Sequence, residues 1–212
     1  MCRNLRGLIF WPTLLAACAT VGCLNEYAVE QCIPGYGIVI DNKDAPRIGP
    51  TFAPVNLTLF GDFQCPGTHQ LWYSLSEFLS KLEEDGKSHE LRIDFRHFPL
   101  TNIHNYAGDA ALAAAAAHRQ GNYDFWIMFP KLLKPGTELS REHILMYAQS
   151  SGLDMAQFVE DINSSEVLDV VNEDLALALE LDLPGTPSVI LCGVHMSATP
   201  EDLVDNLEHL LY

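Results

Sequence analysis

The sequence predicts an α/β fold in which a βαβ unit and a ββα unit flank a long block of helices. Two runs of alternating apolar residues, at 55–60 and 91–96, are typical of strands, and residues at helical spacing lie between them. Short apolar runs near the C-terminus precede one last helix. A strand, a helix and a strand in this order form a βαβ unit with a right-handed crossover. Because the strands are few, the sheet needs helices on both faces.

The βαβ unit begins with a strand from Val55 to Phe60. A helix begins at Pro66, because proline suits the first helical position, where the missing N–H group is not needed. Apolar residues keep helical spacing from there until Gly86 ends the helix. Residues 91–96 then alternate apolar and charged side chains, which predicts the second strand.

The central block, about 102–182, is predicted to be almost wholly helical. Its alanine-rich run, 107–117, is a strong helix former. The aromatic-rich segment that follows must kink or end near Pro130. Side chains that can cap the next three helices are those of Ser140, Asp154 and either Ser164 or Ser165.

The ββα unit at the C-terminus follows a Gly185-Thr186-Pro187 turn. Residues 188–191 and 194–196 are predicted to be two strands with a turn at Gly193. Thr199 can cap the last helix, with proline at its first position.

The composition indicates a folded acidic domain. The chain has 212 residues, enough for one domain with a full core, and its 48% apolar and 19% charged content is typical of globular proteins. Its formal net charge is −16. Nucleic acids and anionic membrane surfaces attract basic proteins, so we expect this chain to bind neither by charge.

The N-terminus carries the pattern of an export signal. Two arginines within the first six residues precede an apolar run, 8–15, that is too short to span a membrane. Residues 15–18 resemble a bacterial lipobox, which would make Cys18 the lipidated residue, and residues 20–23 offer Cys23 as an alternative. An ordinary cleaved signal peptide with incidental cysteines is the other interpretation.

The predicted organisation therefore has three parts. Residues 1–17 are a signal peptide of the lipoprotein type, and residues 18–52 are a tether and lead-in with a short edge strand at 38–40. Residues 53–212 form the folded domain. We expect an exported protein of the bacterial cell envelope, facing the periplasm and held at the membrane only by an N-terminal lipid anchor.

The most distinctive stretch is Phe-Gly-Asp-Phe-Gln-Cys-Pro-Gly-Thr-His at 60–69. It places Cys65 where the first strand gives way to the helix that begins at Pro66. The positive end of a helix dipole favours the thiolate, which is the nucleophilic form of cysteine. A small buried apolar residue is the alternative role for such a cysteine.

This stretch and the later Gly-Thr-Pro turn together resemble the DsbA-like branch of the thioredoxin-fold thiol-disulfide oxidoreductases. That family carries F-x-D-x-x-C-P-x-C after its first core strand and G-T-P, usually with a cis proline, before a later strand. The resemblance runs from about Ala53 to the C-terminus. In place of the second cysteine, this chain has Thr68. The matching residues are Phe60, Asp62, Cys65, Pro66, residues 95–100, His104, Gly185, Thr186 and Pro187.

The resemblance implies a thioredoxin-like fold with an inserted helical domain. It further implies that Pro187 is cis, and that Thr186 offers its backbone to an extended substrate beside Cys65. Cys65 is then the catalytic residue. The residues expected to contact substrate are Pro66, Thr68, His69, Thr186 and Pro187.

The neighbouring titratable residues could tune the thiol. His69 lies four positions after Cys65 on the same helix face and, as a cation, would help to hold the thiolate. The same two residues could bind a soft metal such as copper if His97 or His104 joined them. We prefer hydrogen-bonded structural roles for those two histidines and a turn role for Asp62. No cofactor and no metal are predicted.

Export implies a compartment in which disulfides persist. We expect a bridge between Cys23 and Cys32, which are close in sequence, with Cys65 left free. Cys192 lies five residues beyond Pro187 along a strand, roughly 16 Å away. That is beyond disulfide reach of the reactive end, so a packing role is predicted for Cys192.

The predicted function is that of a thiol-disulfide oxidoreductase or isomerase acting on protein or small-molecule disulfides through one cysteine. Thr68 cannot resolve a mixed disulfide, so release requires an outside thiol or another cysteine, for which Cys32 is a candidate. The alternative is a non-catalytic binding module that has lost redox cycling. The reactivity of Cys65 separates the two.

Overall fold

The computed structural model describes residue 32, residues 37–196 and residues 199–212. The predicted signal peptide and both candidate lipidation sites, Cys18 and Cys23, lie outside these residues. In the described ranges, no helix is both long and apolar enough to cross a membrane.

The described residues form five strands and seven helices, which are numbered separately in chain order. The strands are β1 (Arg47–Ile48), β2 (Val55–Gly61), β3 (Leu91–His97), β4 (Ser188–Leu191) and β5 (Val194–Met196). The helices are α1 (Pro66–Glu84), α2 (Ala107–Gln120), α3 (Asn122–Leu133), α4 (Arg141–Ser150), α5 (Met155–Asp161), α6 (Ser165–Glu180) and α7 (Pro200–Leu211).

All five strands form one mixed sheet in the order β1-β3-β2-β4-β5. β2 and β3 run parallel, with Val55 opposite Leu91 and Gly61 opposite His97. β4 is antiparallel to β2, and β5 is antiparallel to β4. A βαβ unit and a ββα unit thus share one sheet, with helices α2–α6 inserted between them, and the predicted fold class is confirmed.

Apolar side chains cover both faces of the sheet. Leu57 and Leu59 of β2 belong to the large core cluster, which also contains Leu75 of α1 and Leu207 of α7. Phe60 belongs instead to a second cluster with residues from α6 and β4. Successive strand residues point to opposite faces, so the central strand is buried from both sides.

The predicted helix-capping side chains are observed at three helices, and at a fourth the predicted residue makes no cap bond. Side chains of Asp154, Ser164 and Thr199 each accept hydrogen bonds from backbone N–H groups in the first turn that follows. Ser140 occupies the capping position of α4, but its hydroxyl group contacts His143 and makes no cap bond. Pro130 lies inside α3, which ends three residues later.

The lead-in contributes to the fold in a way that the sequence did not predict. Residues 38–40 form no strand, and the edge strand is Arg47–Ile48. Asp94 of β3 is fully buried, and Arg47 donates to its carboxylate at 2.7 Å across the β1–β3 pair. A buried carboxylate needs such partners, and this ion pair holds the edge strand in place.

The predicted bridge between Cys23 and Cys32 is wrong, because Cys32 forms a disulfide with Cys192, with a Cα–Cα distance of 4.8 Å. Close to this bridge, the Ile38 N–H group donates to the carbonyl oxygen of Gly193, in the turn between β4 and β5, at 2.7 Å. The bridge joins two cysteines 160 residues apart. Cys192 therefore does more than pack.

Candidate active site

Cys65 lies in the tight turn that leads from β2 into α1. Its N–H group donates to the Asp62 carbonyl oxygen at 3.1 Å, and its own carbonyl oxygen accepts from the His69 N–H group at 3.2 Å. It is the N-cap residue, and Pro66 begins the helix as expected. Among the described cysteines it alone is free, as predicted.

The thiol of Cys65 is largely covered. The residue is 8% exposed, and its Sγ atom donates to the carbonyl oxygen of Thr186 at 3.1 Å. This low exposure agrees with the alternative role of a small buried residue and does not by itself support a reactive thiol. The thiol has to give up this hydrogen bond to the Thr186 carbonyl oxygen when it ionises to the nucleophilic thiolate.

The peptide bond between Thr186 and Pro187 is cis, which confirms the expectation from the resemblance. The proline packs directly on the first turn of α1. A Cβ atom added to Gly67 would lie 2.9 Å from Pro187 Cδ and 3.7 Å from Cys65 Sγ. The helix start and the proline turn therefore fit together only because residue 67 has no side chain.

The side chain of Thr186 has an unusual environment. Its Oγ1 atom is buried and has no hydrogen-bond partner in the described part of the chain. A buried hydroxyl group without a partner costs free energy, and it gains a partner when a polar group binds beside it. The unpartnered hydroxyl group and the carbonyl group that accepts from Cys65 thus belong to the same residue beside the thiol.

Thr68 does not line the surface, which corrects its assignment as a substrate-contacting residue. It is fully buried, and its hydroxyl group accepts a long 3.5 Å hydrogen bond from the Asp62 N–H group. Three residues after the N-cap, its side chain points into the core between α1 and the sheet. The position that holds the second cysteine in related proteins is therefore out of reach of a large substrate.

His69 is turned towards backbone atoms. Its Nε2 atom lies 2.7 Å from the carbonyl oxygen of Phe63, which can only accept, so Nε2 carries a proton. The ring thereby stabilises the turn before Cys65. Its expected role as a direct cationic partner of the sulfur has no hydrogen bond to support it.

Asp62 organises the turn through its buried carboxylate. Oδ1 accepts from the Gln64 N–H group at 2.7 Å, and Oδ2 accepts from the Leu100 N–H group at 2.9 Å and from His104 Nδ1 at 2.8 Å. The turn role of Asp62 and the structural role of His104 are confirmed. The Gln64 side chain adds a further link, to the N–H group of Tyr106, that sequence reasoning missed.

His97, at the end of β3, differs from expectation. Its ring lies against the rings of Phe63, Phe95 and Phe125, and its Nδ1 atom has no hydrogen-bond partner in the described residues. Burial, with smaller contributions from nearby His118 and Arg96, lowers the pKa of His97 to about 3. The ring is therefore neutral and belongs to the aromatic core.

No metal site is built around the thiol. Over the described ranges, no three His, Cys, Asp or Glu side chains are grouped as ligands. His69 and His104 are each engaged with protein oxygen atoms. The copper alternative therefore lacks a ligand set here.

A groove of about 730 Å³ lies beside the site, between α1, the end of α3 and the start of α7. His69 lines it, one helical turn from Cys65. Apolar side chains provide much of the remaining wall, and Trp72 in that wall stacks on Trp126 behind it. The other lining residues are Gln70, Tyr73, Ser74, Ser76, Pro130, Leu133, Lys134, Pro135, Pro200 and Glu201.

Solved structures share this architecture. Oxidised BdbD from Bacillus subtilis has a TM-score of 0.69 and 19% identity, covering 82% of this chain and 97% of that one. The thiol-disulfide exchange protein alpha-DsbA2 from Wolbachia pipientis has a TM-score of 0.64 and 23% identity, covering 87% and 98%. At these identities the likeness is one of fold.

Curated relatives fall into two groups. The Na(+)/H(+) antiporter NhaA 1 of Salinispora arenicola is 35% identical over 182 residues, which are 86% of this chain and 26% of the antiporter. This chain thus spans about a quarter of the length of that relative. A probable disulfide bond formation protein D from Bacillus anthracis is 27% identical over 175 residues, 74% of this chain and 79% of that protein.

A family model described as thioredoxin matches residues 41–209. The match begins in the lead-in, where the structure also begins to contribute buried residues such as Asn42. The motif around Cys65, the cis proline and the inserted helices agree with it. The chain therefore belongs to the thioredoxin family.

Proposed function

We propose that this protein is an exported thiol-disulfide oxidoreductase or isomerase that works through Cys65 alone. The observation that carries the proposal is one free thiol at a helix N-terminus, against the backbone of Thr186 and beside a cis proline, with threonine at residue 68. The relatives named for disulfide bond formation and for thiol-disulfide exchange support the same chemistry.

The proposed reaction is thiol-disulfide exchange. The Cys65 thiolate attacks one sulfur of a substrate disulfide, the substrate S–S bond breaks, and a mixed disulfide forms while the second substrate sulfur leaves as a thiolate. No electrons are lost, because the sulfur of Cys65 is oxidised as the leaving sulfur is reduced. Attack by a thiol of the same substrate then completes an isomerisation, and attack by a small thiol completes a reduction.

The substrate is proposed to be a protein or small-molecule disulfide. An extended polypeptide would pair with the backbone of Thr186, place a polar group near the unpartnered Thr186 hydroxyl, and extend past Pro66 and His69 into the neighbouring groove. Neither a cofactor nor a metal takes part. The acidic surface argues against nucleic acid as a partner.

Export to the cell envelope, with a lipid anchor on Cys18 or alternatively Cys23, is part of the proposal. The sequence pattern of residues 1–23 supports it, as does the disulfide between Cys32 and Cys192, since such bridges persist in oxidising compartments. One structural relative is a periplasmic thioredoxin-like protein from Salmonella enterica. Mass spectrometry of the mature N-terminus tests the anchor, and an unmodified peptide running through residues 15–23 would refute it.

A binding module without redox cycling is the second candidate, and the low exposure of Cys65 favours it. Alkylation of the folded protein separates the two functions. We expect Cys65 to react with iodoacetamide under native conditions and to form a stable mixed disulfide with glutathione disulfide, with Cys65→Ser as the control. Reaction only after unfolding would show that the thiol is not used and would leave the binding role.

A further inference from the structure

The loop that follows β3 is fastened to the turn that carries Cys65. Asp62 accepts hydrogen bonds from the N–H group of Leu100 and from His104, while Gln64 accepts one from the N–H group of Tyr106. The loop is also closed on itself, since the His104 N–H group donates to the Leu100 carbonyl oxygen at 2.9 Å. Two side chains of the active-site turn thus hold both ends of one loop.

Within the described ranges, His104 is the one side-chain donor to the Asp62 carboxylate. That carboxylate has no exposed surface, and the His104 side chain is 18% exposed. An ionised carboxylate only accepts, so the Nδ1 atom of His104 must carry the proton that lies between them. The other two donors are the backbone N–H groups of Gln64 and Leu100.

The Asp62–His104 contact bears on Cys65 in two ways. Asp62 holds the turn next to the thiol, because its carboxylate accepts from the Gln64 N–H group and its carbonyl oxygen accepts from that of Cys65. A buried negative charge three residues before a thiolate also disfavours the thiolate unless donors offset that charge. The loss of His104 would loosen the turn and leave the carboxylate less compensated, and both changes oppose thiolate formation.

We propose that His104, acting through Asp62, is a positioning residue that keeps Cys65 in its reactive geometry. The proposal rests on the proposed function, because it assigns a means of control to the same thiol. His104 lies 42 residues from Asp62 in the chain and makes no hydrogen bond with the sulfur. Besides Cys65, the titratable side chains at the turn are Asp62, His69 and His104, and the ring of His97 lies against Phe63.

Three substitutions of His104 test this role. His104→Asn keeps a donor close to the position of Nδ1, His104→Gln keeps most of the volume but moves the donor, and His104→Ala removes both. His143→Gln is the matched control, because His143 also hydrogen-bonds a side chain, that of Ser140, in helix α4 away from the thiol. The probes are iodoacetamide across a range of pH and glutathione disulfide at fixed pH.

We expect His104→Gln and His104→Ala to slow the reaction of Cys65 with glutathione disulfide by about tenfold, the order expected for one charge-assisted hydrogen bond. The inflection of the alkylation rate should move to higher pH in both variants. His104→Asn should restore both properties, and His143→Gln should match the native protein. A purely structural role would lower the resistance to urea without moving the inflection.

The alternative outcomes are distinct. If the native protein reacts and a folded His104→Gln variant has the same rate and inflection, the positioning role is refuted and the proposed function stands. If Cys65 of the native protein is inert until unfolding, the proposed function fails, and the positioning role fails with it. If His104→Ala does not fold, His104→Gln and His104→Asn decide the matter, because neither leaves a large cavity.

Discussion

Replacing Thr68 with cysteine should convert this protein into a dithiol enzyme. Residue 68 is fully buried, so bulky reagents and substrates cannot reach a thiol placed there. Residues three apart on a helix share one face, which puts the new thiol within reach of a mixed disulfide on Cys65. The new thiol would then act only as a resolving group, attacking Cys65 from inside the protein.

The cost in stability should be small. The hydroxyl group of Thr68 accepts one long 3.5 Å hydrogen bond from the Asp62 N–H group, which is worth less than the usual value of about 1 kcal/mol. Threonine and cysteine are similar in size, and substitutions that conserve volume usually cost less than about 1.5 kcal/mol. We therefore expect Thr68→Cys to lower the free energy of unfolding by about 1 kcal/mol, measured by urea denaturation.

The substitution should change the reaction products of the protein, although it hardly changes its stability. The native protein should stop at the mixed disulfide with glutathione, whereas Thr68→Cys should release glutathione and form an internal disulfide. Mass spectrometry detects the bound glutathione and the internal disulfide, and the turnover of a dithiol substrate measures the activity. Thr68→Ser is the control, because it keeps a hydroxyl group and adds no thiol. A folded Thr68→Cys protein that retains bound glutathione would refute this account of the site.

Three further predictions follow from buried features elsewhere. Replacing both Cys32 and Cys192 with serine removes a bridge that links residues 160 apart, so the free energy of unfolding should fall by up to about 5 kcal/mol in urea denaturation. Burial lowers the pKa of His97 from 6.5 to about 3, so the neutral ring is favoured in the folded state. The resulting stability is fully present above pH 6.5 and is lost as pH falls; His97→Phe should remove an acid-dependent loss of about 2 kcal/mol between about pH 7.5 and about pH 5. Gly67→Ala should force the proline turn apart, costing about 1–3 kcal/mol and changing the alkylation rate of Cys65, whereas Gly108→Ala, with its nearest contact at 3.5 Å, should be tolerated.

Each of these predictions has a contrary outcome. Peptide mapping under non-reducing conditions that joins Cys32 to Cys65 would restore a dithiol cycle and refute the observed pairing. Equal acid sensitivity of His97→Phe and the native protein would show that other groups dominate acid unfolding. Equal stability of Gly67→Ala and Gly108→Ala would show that the proline turn can move away freely.

The sequence predicted the elements that depend on local patterns. Alternation identified β2 and β3, and proline after Cys65 located the start of α1 to the residue. Capping side chains located three further helix starts. These features are decided by residues within a few positions of one another, so one sequence is enough to find them.

Features that depend on distant residues could not be predicted in this way. β1 is two residues long, too short for any periodicity, and it is held by the buried carboxylate of Asp94. The disulfide partner of Cys32 lies 160 residues away, just after the end of β4, which no local pattern can indicate. The contact between Asp62 and His104 spans 42 residues, and only the family resemblance suggested that both mattered.

Strand β4 separates two kinds of sulfur chemistry. It begins just after Pro187, beside the thiol, and ends just before Cys192, at the disulfide. Its four residues, with the one at either side, span roughly 16 Å. At that distance the Cys65 thiolate cannot contact the disulfide while the protein is folded. Under the proposed function, the disulfide between Cys32 and Cys192 would otherwise be the substrate nearest to the Cys65 thiolate. The length of β4 keeps the two apart, so the proposed exchange reaction leaves this disulfide intact.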